Sequence, residues 1–318
     1  CIVLAAASEG LYTAHMFHTT TVKRTHPYAP RSPESRVGHT PLLHLRQTAV
    51  AVGLPPAVQL YAKAEWFNPS GSVKDRAAWH IIRTAEENGR LWPGMTIFDF
   101  SSGNMALAYA VLGQAAGYKI KLVVPESAGS ERLEHLQRLG VDLTVTAKAD
   151  GSDGAIRAAR EMATADPTLF YARQYDNPAN WQAYYETMAP EIWVQTHGLV
   201  THFVAALGSS GTFMGAARRL RAFNPDIHTT AVQPASANEG IKGLKHMPSA
   251  IRPTIYDEKV ADAQAAVPRI EAEAMQEMLA LCEGLEVGLS AAAAVAAAGR
   301  QARTLGDGAF VTLLAGAP

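Results

Sequence analysis

Met95-Thr-Ile-Phe-Asp-Phe-Ser-Ser-Gly-Asn-Met-Ala-Leu-Ala-Tyr-Ala-Val-Leu-Gly-Gln-Ala-Ala-Gly-Tyr-Lys-Ile-Lys-Leu-Val-Val-Pro125 carries a complete strand, turn, helix and strand in one run. Its β-rich ends, 95–101 and 120–125, flank an alanine-rich helical pattern over 106–116, and the small residues 101–104 make the turn. The same alternation extends in both directions. Upstream, a strand is expected over 58–65 and a helix over 75–88. Downstream come a helix over 130–139, a strand over 141–146 and a helix over 155–165. A second series comes next, with a helix over 181–196, a strand over 201–207, a helix over 213–223 and a strand over 228–232. After a polar stretch, 235–257, helices over 270–283 and 290–305 and a strand over 310–314 complete the pattern. Repeated strand–helix–strand units predict an α/β fold of mostly parallel sheets wrapped by helices. No low-complexity linker separates the two series, so two closely packed, interlocked three-layer αβα lobes are expected, with a ligand in the cleft between them.

Composition narrows the function. The 318 residues carry 28 Lys plus Arg against 29 Asp plus Glu, a net charge of −1, which offers no basic excess for nucleic acid or an anionic membrane. At 48% apolar and 18% charged, the chain can bury a core. The two cysteines, Cys1 and Cys282, exclude a disulfide framework or multi-cysteine zinc site, and a cytoplasmic location is expected. The histidines show no metal-ligand spacing. Nothing reaches the roughly 18 apolar residues in a row that a membrane helix needs. The apolar start, Cys1 to Ser8, lacks a positively charged leader and reads as an ordered arm rather than a secretory signal. Cys282 is expected to be buried, and Trp66, Trp79, Trp92, Trp181 and Trp193 to lie in the core or an interface.

Four short segments carry chemistry. In Asn68-Pro-Ser-Gly-Ser-Val-Lys-Asp-Arg76, a tight turn delivers Lys74 to a helix start, where the dipole disfavours a positive charge. A lowered ammonium pKa suits a nucleophilic amine or Schiff base. Asp75 and Arg76 read as first-turn charge and surface pairing. Ser101-Ser-Gly-Asn104 ends a strand and opens a helix, so its N–H groups and hydroxyls can cradle a carboxylate; an ordinary N-cap would have the same look. Gly208-Ser-Ser-Gly-Thr212 stands after a strand and before an amphipathic helix, a pattern for holding phosphate. It is neither a Walker loop nor a dinucleotide loop. In Gly288-Leu-Ser-Ala-Ala-Ala-Ala-Val295, Ser290 is an evident N-cap, and the small residues after it let a planar ring approach. An activated lysine, a phosphate cup, a carboxylate cradle and a small-residue helix start together point to pyridoxal 5'-phosphate.

In this order the segments resemble the cysteine synthase family of fold-type II pyridoxal-phosphate enzymes, related in fold to the tryptophan synthase β subunit. The resemblance runs from about Gly38 to Val311. It includes Gly38-His-Thr-Pro-Leu-Leu-His-Leu45, the block from Pro125 to Gly140, Gln174-Tyr-Asp-Asn-Pro-Ala-Asn180 and Pro190-Glu-Ile-Trp193. Thr201-His-Phe-Val204, Val232-Gln-Pro234 and Gly243-Leu-Lys-His-Met-Pro248 look most like the B-type synthases. The resemblance implies that Lys74 forms the Schiff base. It places Asn104 at the cofactor's phenolic oxygen, Gly208, Ser209, Ser210, Gly211 and Thr212 around its phosphate, and Ser290 at the pyridine nitrogen. Ser101, Ser102, Gly103, Met105 and Gln174 would line the substrate site. It further implies an N-terminal arm (1–37), a larger cofactor lobe (38–66 and 181–318), a smaller mobile substrate lobe (67–180) and a homodimer. A neutral hydroxyl at the ring nitrogen makes a weaker electron sink, favouring prompt loss of a β-leaving group over transamination or racemisation. The implied reaction is ping-pong β-replacement: activated L-serine loses its β-substituent to give an α-aminoacrylate, and sulfide or another sulfur donor adds to yield L-cysteine.

The sequence departs from the family at three places. Met105-Ala106 stand where Thr-Gly is usual, and Met105 is expected to narrow or reshape the pocket. Ser290-Ala-Ala292 stand where Ser-Ser-Gly is usual. The sequence stops at Leu314-Ala-Gly-Ala-Pro318 where relatives continue, so either it is part of a longer protein or the site closes differently. Lys245, with Lys242 and His246 nearby, is expected either to meet the phosphate of O-phosphoserine, in addition to or in preference to O-acetylserine, or to be a solvated basic loop. Alternative functions are a serine or threonine dehydratase, a cystathionine-type or 2,3-diaminopropionate-type synthase, or a weakly active regulatory homologue.

Overall fold

The computed structural model describes residues 33–316, so Cys1, the apolar start and all but the last five residues of the expected arm lie outside the described residues. After a 3-10 turn (Pro33–Arg36) come β1 (Leu42–His44), α1 (Arg46–Ala51), β2 (Val58–Ala64) and α2 (Lys74–Glu87). Next are β3 (Thr96–Phe100), α3 (Asn104–Ala108), β4 (Lys119–Pro125), α4 (Ser130–Arg138), β5 (Asp142–Thr146), α5 (Gly151–Ala165) and β6 (Leu169–Tyr171). The chain continues through α6 (Pro178–Ala183), α7 (Ala189–Gln195), β7 (His202–Ala206), α8 (Gly211–Phe223), β8 (His228–Pro234) and β9 (Ala263–Val267), then α9 (Arg269–Glu283), α10 (Leu289–Leu305) and β10 (Gly308–Leu314).

The strands form two sheets, β1-β2-β10-β7-β8-β9 and β5-β4-β3-β6. All pairings are parallel except β1 with β2. Strands covered by helices on both faces need near-continuous apolar sequence, and β4, β7 and β10 have it: Leu122, Val123, Phe203, Val204, Phe310 and Val311 are buried. Each sheet reverses its order at one place. In the smaller sheet, β4 and β5 lie on one side of β3 and β6 on the other; in the larger, β8 and β9 lie on one side of β7 and β10 on the other. Connections leaving two such strands turn opposite ways and leave a crevice at their carboxyl ends, where ligands of α/β folds bind. At the β3/β6 crevice stand residues 101–104 and Gln174; at the β7/β10 crevice stands 208–212. The β2-to-α2 turn carrying Lys74 emerges beside β10.

The expected strands and helices are present within a few residues, and the sequence reading missed β1, α1, β6 and β9. Two helices expected to be continuous are interrupted by π-helical turns, Tyr109–Gly113 after α3 and Tyr184–Met188 between α6 and α7. Trp92 is exposed rather than core, and Cys282 is only half-buried, its Sγ 3.5 Å from Met278 Sδ. Among the described residues, no cluster of His, Cys, Asp or Glu could hold a metal, and no helix is long and apolar enough to cross a membrane.

Candidate active site

Lys74 is the first residue of α2, and the turn before it is held on every side. Asn68 Oδ1 accepts from the Gly38 N–H (2.8 Å), and Asn68 Nδ2 donates to the Glu65 carbonyl (2.9 Å) and carboxylate (2.8 Å). Gly71, at φ +82°, closes the turn onto the Asn68 carbonyl (2.9 Å). The Val73 N–H donates to the Ala315 carbonyl beyond β10 (2.8 Å), and the Tyr184 hydroxyl donates to the Val73 carbonyl (3.2 Å). Burial pushes the Lys74 ammonium down from its ordinary 10.5 to about 8, against the opposing pull of Glu65. The lowered value expected from the sequence is present, with desolvation as its main cause.

Behind this lysine sits a buried ion network. Arg76 grips Glu65 through two bonds (Nε–Oε2 2.8 Å, Nη2–Oε1 2.9 Å) and reaches Glu191 at 2.7 and 2.8 Å. Lys63 Nζ adds Glu191 at 2.7 Å and the Thr40 carbonyl at 2.6 Å. Burial alone would raise the Glu65 carboxyl; the Arg76 guanidinium outweighs it and holds it below its usual range. Arg76 is therefore buried, 2% exposed, and Asp75, which accepts from Ser70, is 0% exposed, which corrects the expectation of surface pairing. The sequence concealed this because its partners Glu65 and Glu191 come from β2's end and α7.

Lys74 shares one cavity with Gly208, Ser209, Ser210, Thr212, Gly243 and Ser290. A Cβ on Gly208 would lie 2.7 Å from the Gly243 carbonyl, so only glycine lets the loop pass there. Ser210 takes a left-handed conformation (φ +69°), and its buried Oγ has no hydrogen-bond partner. The first turn of α8 adds N–H groups without intrahelical acceptors. An orphaned donor beside free helix N–H groups suits an anion, so the cup fits the phosphate of pyridoxal phosphate. Ser290, at the start of α10, faces Gly243: a Cβ there would lie 3.4 Å from Ser290 Oγ.

On the substrate side, Ser101, Ser102 and Asn104 are half-buried and Gly103 is exposed. The Gly103 N–H donates to Ser101 Oγ (3.3 Å). Gln174 is buried, with Nε2 donating to the Phe100 carbonyl at 2.6 Å. Met105 is 2% exposed and packs in the hydrophobic core. Lys245 is likewise no solvated loop residue. It is 9% exposed, donates to the Ile251 carbonyl (3.1 Å), pairs with Asp153 (3.4 Å) and lies 4.9 Å from the Tyr175 ring centre. Lys242 is exposed, and His246 bonds Ser249 at 2.7 Å. Sequence reasoning missed Glu65, Asp99, Asp153, Asn180 and Tyr184 as supports of these residues. Asn180 and Asp99 lie in stretches singled out for other residues, and none of the five carries a local signal of its own, because their partners come from distant parts of the sequence.

A family model described as "Pyridoxal-phosphate dependent enzyme" matches residues 34–316. The chain is 40% identical to a cysteine synthase of Aquifex aeolicus over 270 residues, covering 85% of this chain and 82% of that one. It is 34% identical to cysteine synthase B of Escherichia coli over 281 residues, covering 88% and 91% respectively. Among solved structures, O-acetylserine sulfhydrylase isoform 3 from Entamoeba histolytica superposes with a TM-score of 0.84 at 28% identity, covering 95% of this chain and 92% of that one.

Proposed function

The chain belongs to the pyridoxal-phosphate dependent enzymes, and from that premise we propose that it is a cysteine synthase, replacing the β-substituent of an activated L-serine with sulfur to give L-cysteine. The observation that carries the assignment of roles is the meeting of Lys74, its ammonium lowered to about 8, with the orphaned Ser210 hydroxyl and the neutral Ser290 hydroxyl around one cavity.

When bound, pyridoxal phosphate supplies the electron sink for charge developing at the substrate α-carbon. Lys74 Nζ holds the cofactor and, once released by the incoming amino group, takes the α-proton as general base. Ser210, Thr212 and the α8 N–H groups would hold the phosphate, and Asn104 would serve the cofactor's phenolic oxygen. Ser290 would offer the ring nitrogen a hydroxyl instead of a carboxylate, a partner that would not keep that nitrogen protonated. Ser101, Ser102, Gly103 and Gln174 orient the substrate carboxylate. The β-oxygen departs with its bonding pair, sulfide adds at the β-carbon, and Lys74 returns the proton to the α-carbon.

Lys245 bears on which serine is used. Its charge is already matched by Asp153, and a dianionic O-phosphoserine would have to displace that carboxylate. O-acetylserine, whose ester group is neutral, is therefore the substrate we assign. The smaller lobe is assigned to 67–180, around the four-stranded sheet, and the larger to 38–66 and 181–318. A homodimer in the cytoplasm completes the reading. The test is to purify the protein with its cofactor, add O-acetylserine, O-phosphoserine or serine, then sulfide, and follow both the cofactor's visible band and L-cysteine. Lys74→Ala is expected to abolish covalent attachment and turnover; wild-type turnover by that variant would overturn the assignment.

A further inference from the structure

A chain of buried hydrogen bonds joins the two crevices. Asn180 Nδ2, on α6, donates to the Gln174 carbonyl (2.6 Å) and to Ser209 Oγ in the phosphate cup (3.1 Å). The Gln174 N–H donates to Asp99 Oδ2 (3.2 Å), which also accepts from the Tyr109 hydroxyl (3.0 Å). Asp99 Oδ1 accepts from the Phe100 N–H (2.9 Å), immediately before the 101–104 turn. Gln174 Nε2 closes the loop on the Phe100 carbonyl (2.6 Å). Asp99 and Asn180 are both 0% exposed.

Packing alone does not account for Asn180. Its Oδ1 is buried with no partner, and a Cβ on Gly211 would collide with it. An apolar side chain could fill that space without stranding an acceptor, so the amide is retained for the groups Nδ2 holds. Asp99 is costly to bury too, since no cation is bonded to it and burial raises its carboxyl; what it does there is hold the Phe100 and Gln174 N–H groups and the Tyr109 hydroxyl.

We propose that Asn180 and Asp99 are positioning residues that clamp Gln174 between the phosphate cup and the substrate turn, so that the cofactor-holding and carboxylate-holding halves are set by one relay. This rests on 208–212 holding the phosphate and Gln174 the substrate carboxylate. The chain's own residues make every link: Ser209 to Asn180, Asn180 to Gln174, Gln174 to Asp99, Asp99 to Tyr109 and the backbone of Phe100.

The test uses the cofactor-loaded protein and two dissociation constants, that of pyridoxal phosphate and that of O-acetylserine or L-cysteine read from the change in the visible band. Asn180→Ala is expected to weaken both by about tenfold. Asp99→Asn, which cannot accept from all three donors, is expected to weaken amino-acid binding by about tenfold while leaving cofactor binding within about twofold. Because both act through Gln174, the double variant is expected to bind the amino acid about as weakly as the worse single variant, instead of showing the product of the two losses. Multiplying losses, or an Asn180→Ala protein whose amino-acid binding is unchanged, would overturn the relay. If Asn180→Ala does not fold, Asp99→Asn paired with Tyr109→Phe carries the same comparison, and unchanged amino-acid binding in Asp99→Asn overturns it. Failure of the underlying functional reading is separate: it shows in the unmodified protein, as the absence of a cofactor band that an activated serine shifts.

Discussion

At Lys74, the sequence position and the folded surroundings work on the same ammonium. Burial brings its pKa to about 8 while Glu65 resists. Covalent attachment of pyridoxal phosphate to the apoprotein, monitored by absorbance, should therefore accelerate with pH and reach half its plateau near 8; a midpoint remaining near 10.5 would refute the lowered value. Glu191 titrates the other way. Burial would raise its carboxyl, but hydrogen bonds and charge from Arg76, then Lys63, pull it from 4.5 to about 2. A folded value below the unfolded one gives stability that is complete above about 4.5 and lost as pH falls toward 2. Glu191→Gln leaves Lys63 and Arg76 facing Glu65 alone; it should cost about 3–5 kcal/mol at neutral pH by urea unfolding and flatten the acid limb. Lys74 and the glycine-rich cup were legible because each is a local string with its own chemistry. The ion network was not, since Glu65, Arg76 and Glu191 are brought together only by tertiary packing.

The two π-helical turns act at the scale of the element. Each begins with a fully buried tyrosine whose hydroxyl reaches an active-site support: Tyr109 to Asp99, Tyr184 to the Val73 carbonyl. A π turn inserts one residue and rotates the remainder of the helix about its axis, a device found often at functional sites. Helical periodicity does not reveal one extra residue, so both segments read as continuous helices. The second turn also packs α8 closely, at Gly215, where a Cβ would meet the Trp181 carbonyl and lie 2.9 Å from Tyr184 Cβ. Gly215→Ala should therefore destabilise the protein by about 1–3 kcal/mol, moving the urea midpoint at unchanged slope. An unchanged midpoint would show that α8 can shift freely against this turn.

Across the whole molecule, the parallel sheets could be read from the strand–helix alternation, whereas the crevices could not, since where each sheet reverses is set by strand order. Three-residue β1 and β6 and alanine-rich β9 escaped because their strand character comes from pairing with a neighbour, not from their own residues. Long-range contacts also fix Lys245. Asp153, at the start of α5, neutralises Lys245 in the loop after β8 and accepts from the Ile251 N–H (3.0 Å). Asp153→Asn should free the cation and raise kcat/KM for O-phosphoserine relative to O-acetylserine by about tenfold. An unchanged ratio would mean that Lys245 does not read the leaving group.

Beyond β10, the Ala315 carbonyl accepts from the Val73 N–H, and Gly316 bridges to Ser72. The residue before Lys74 is thus tethered to the segment just beyond β10. A residue inserted at 315–316 would tug on the turn that carries Lys74, whereas the same insertion in an exposed loop such as 147–151 would leave that tether untouched.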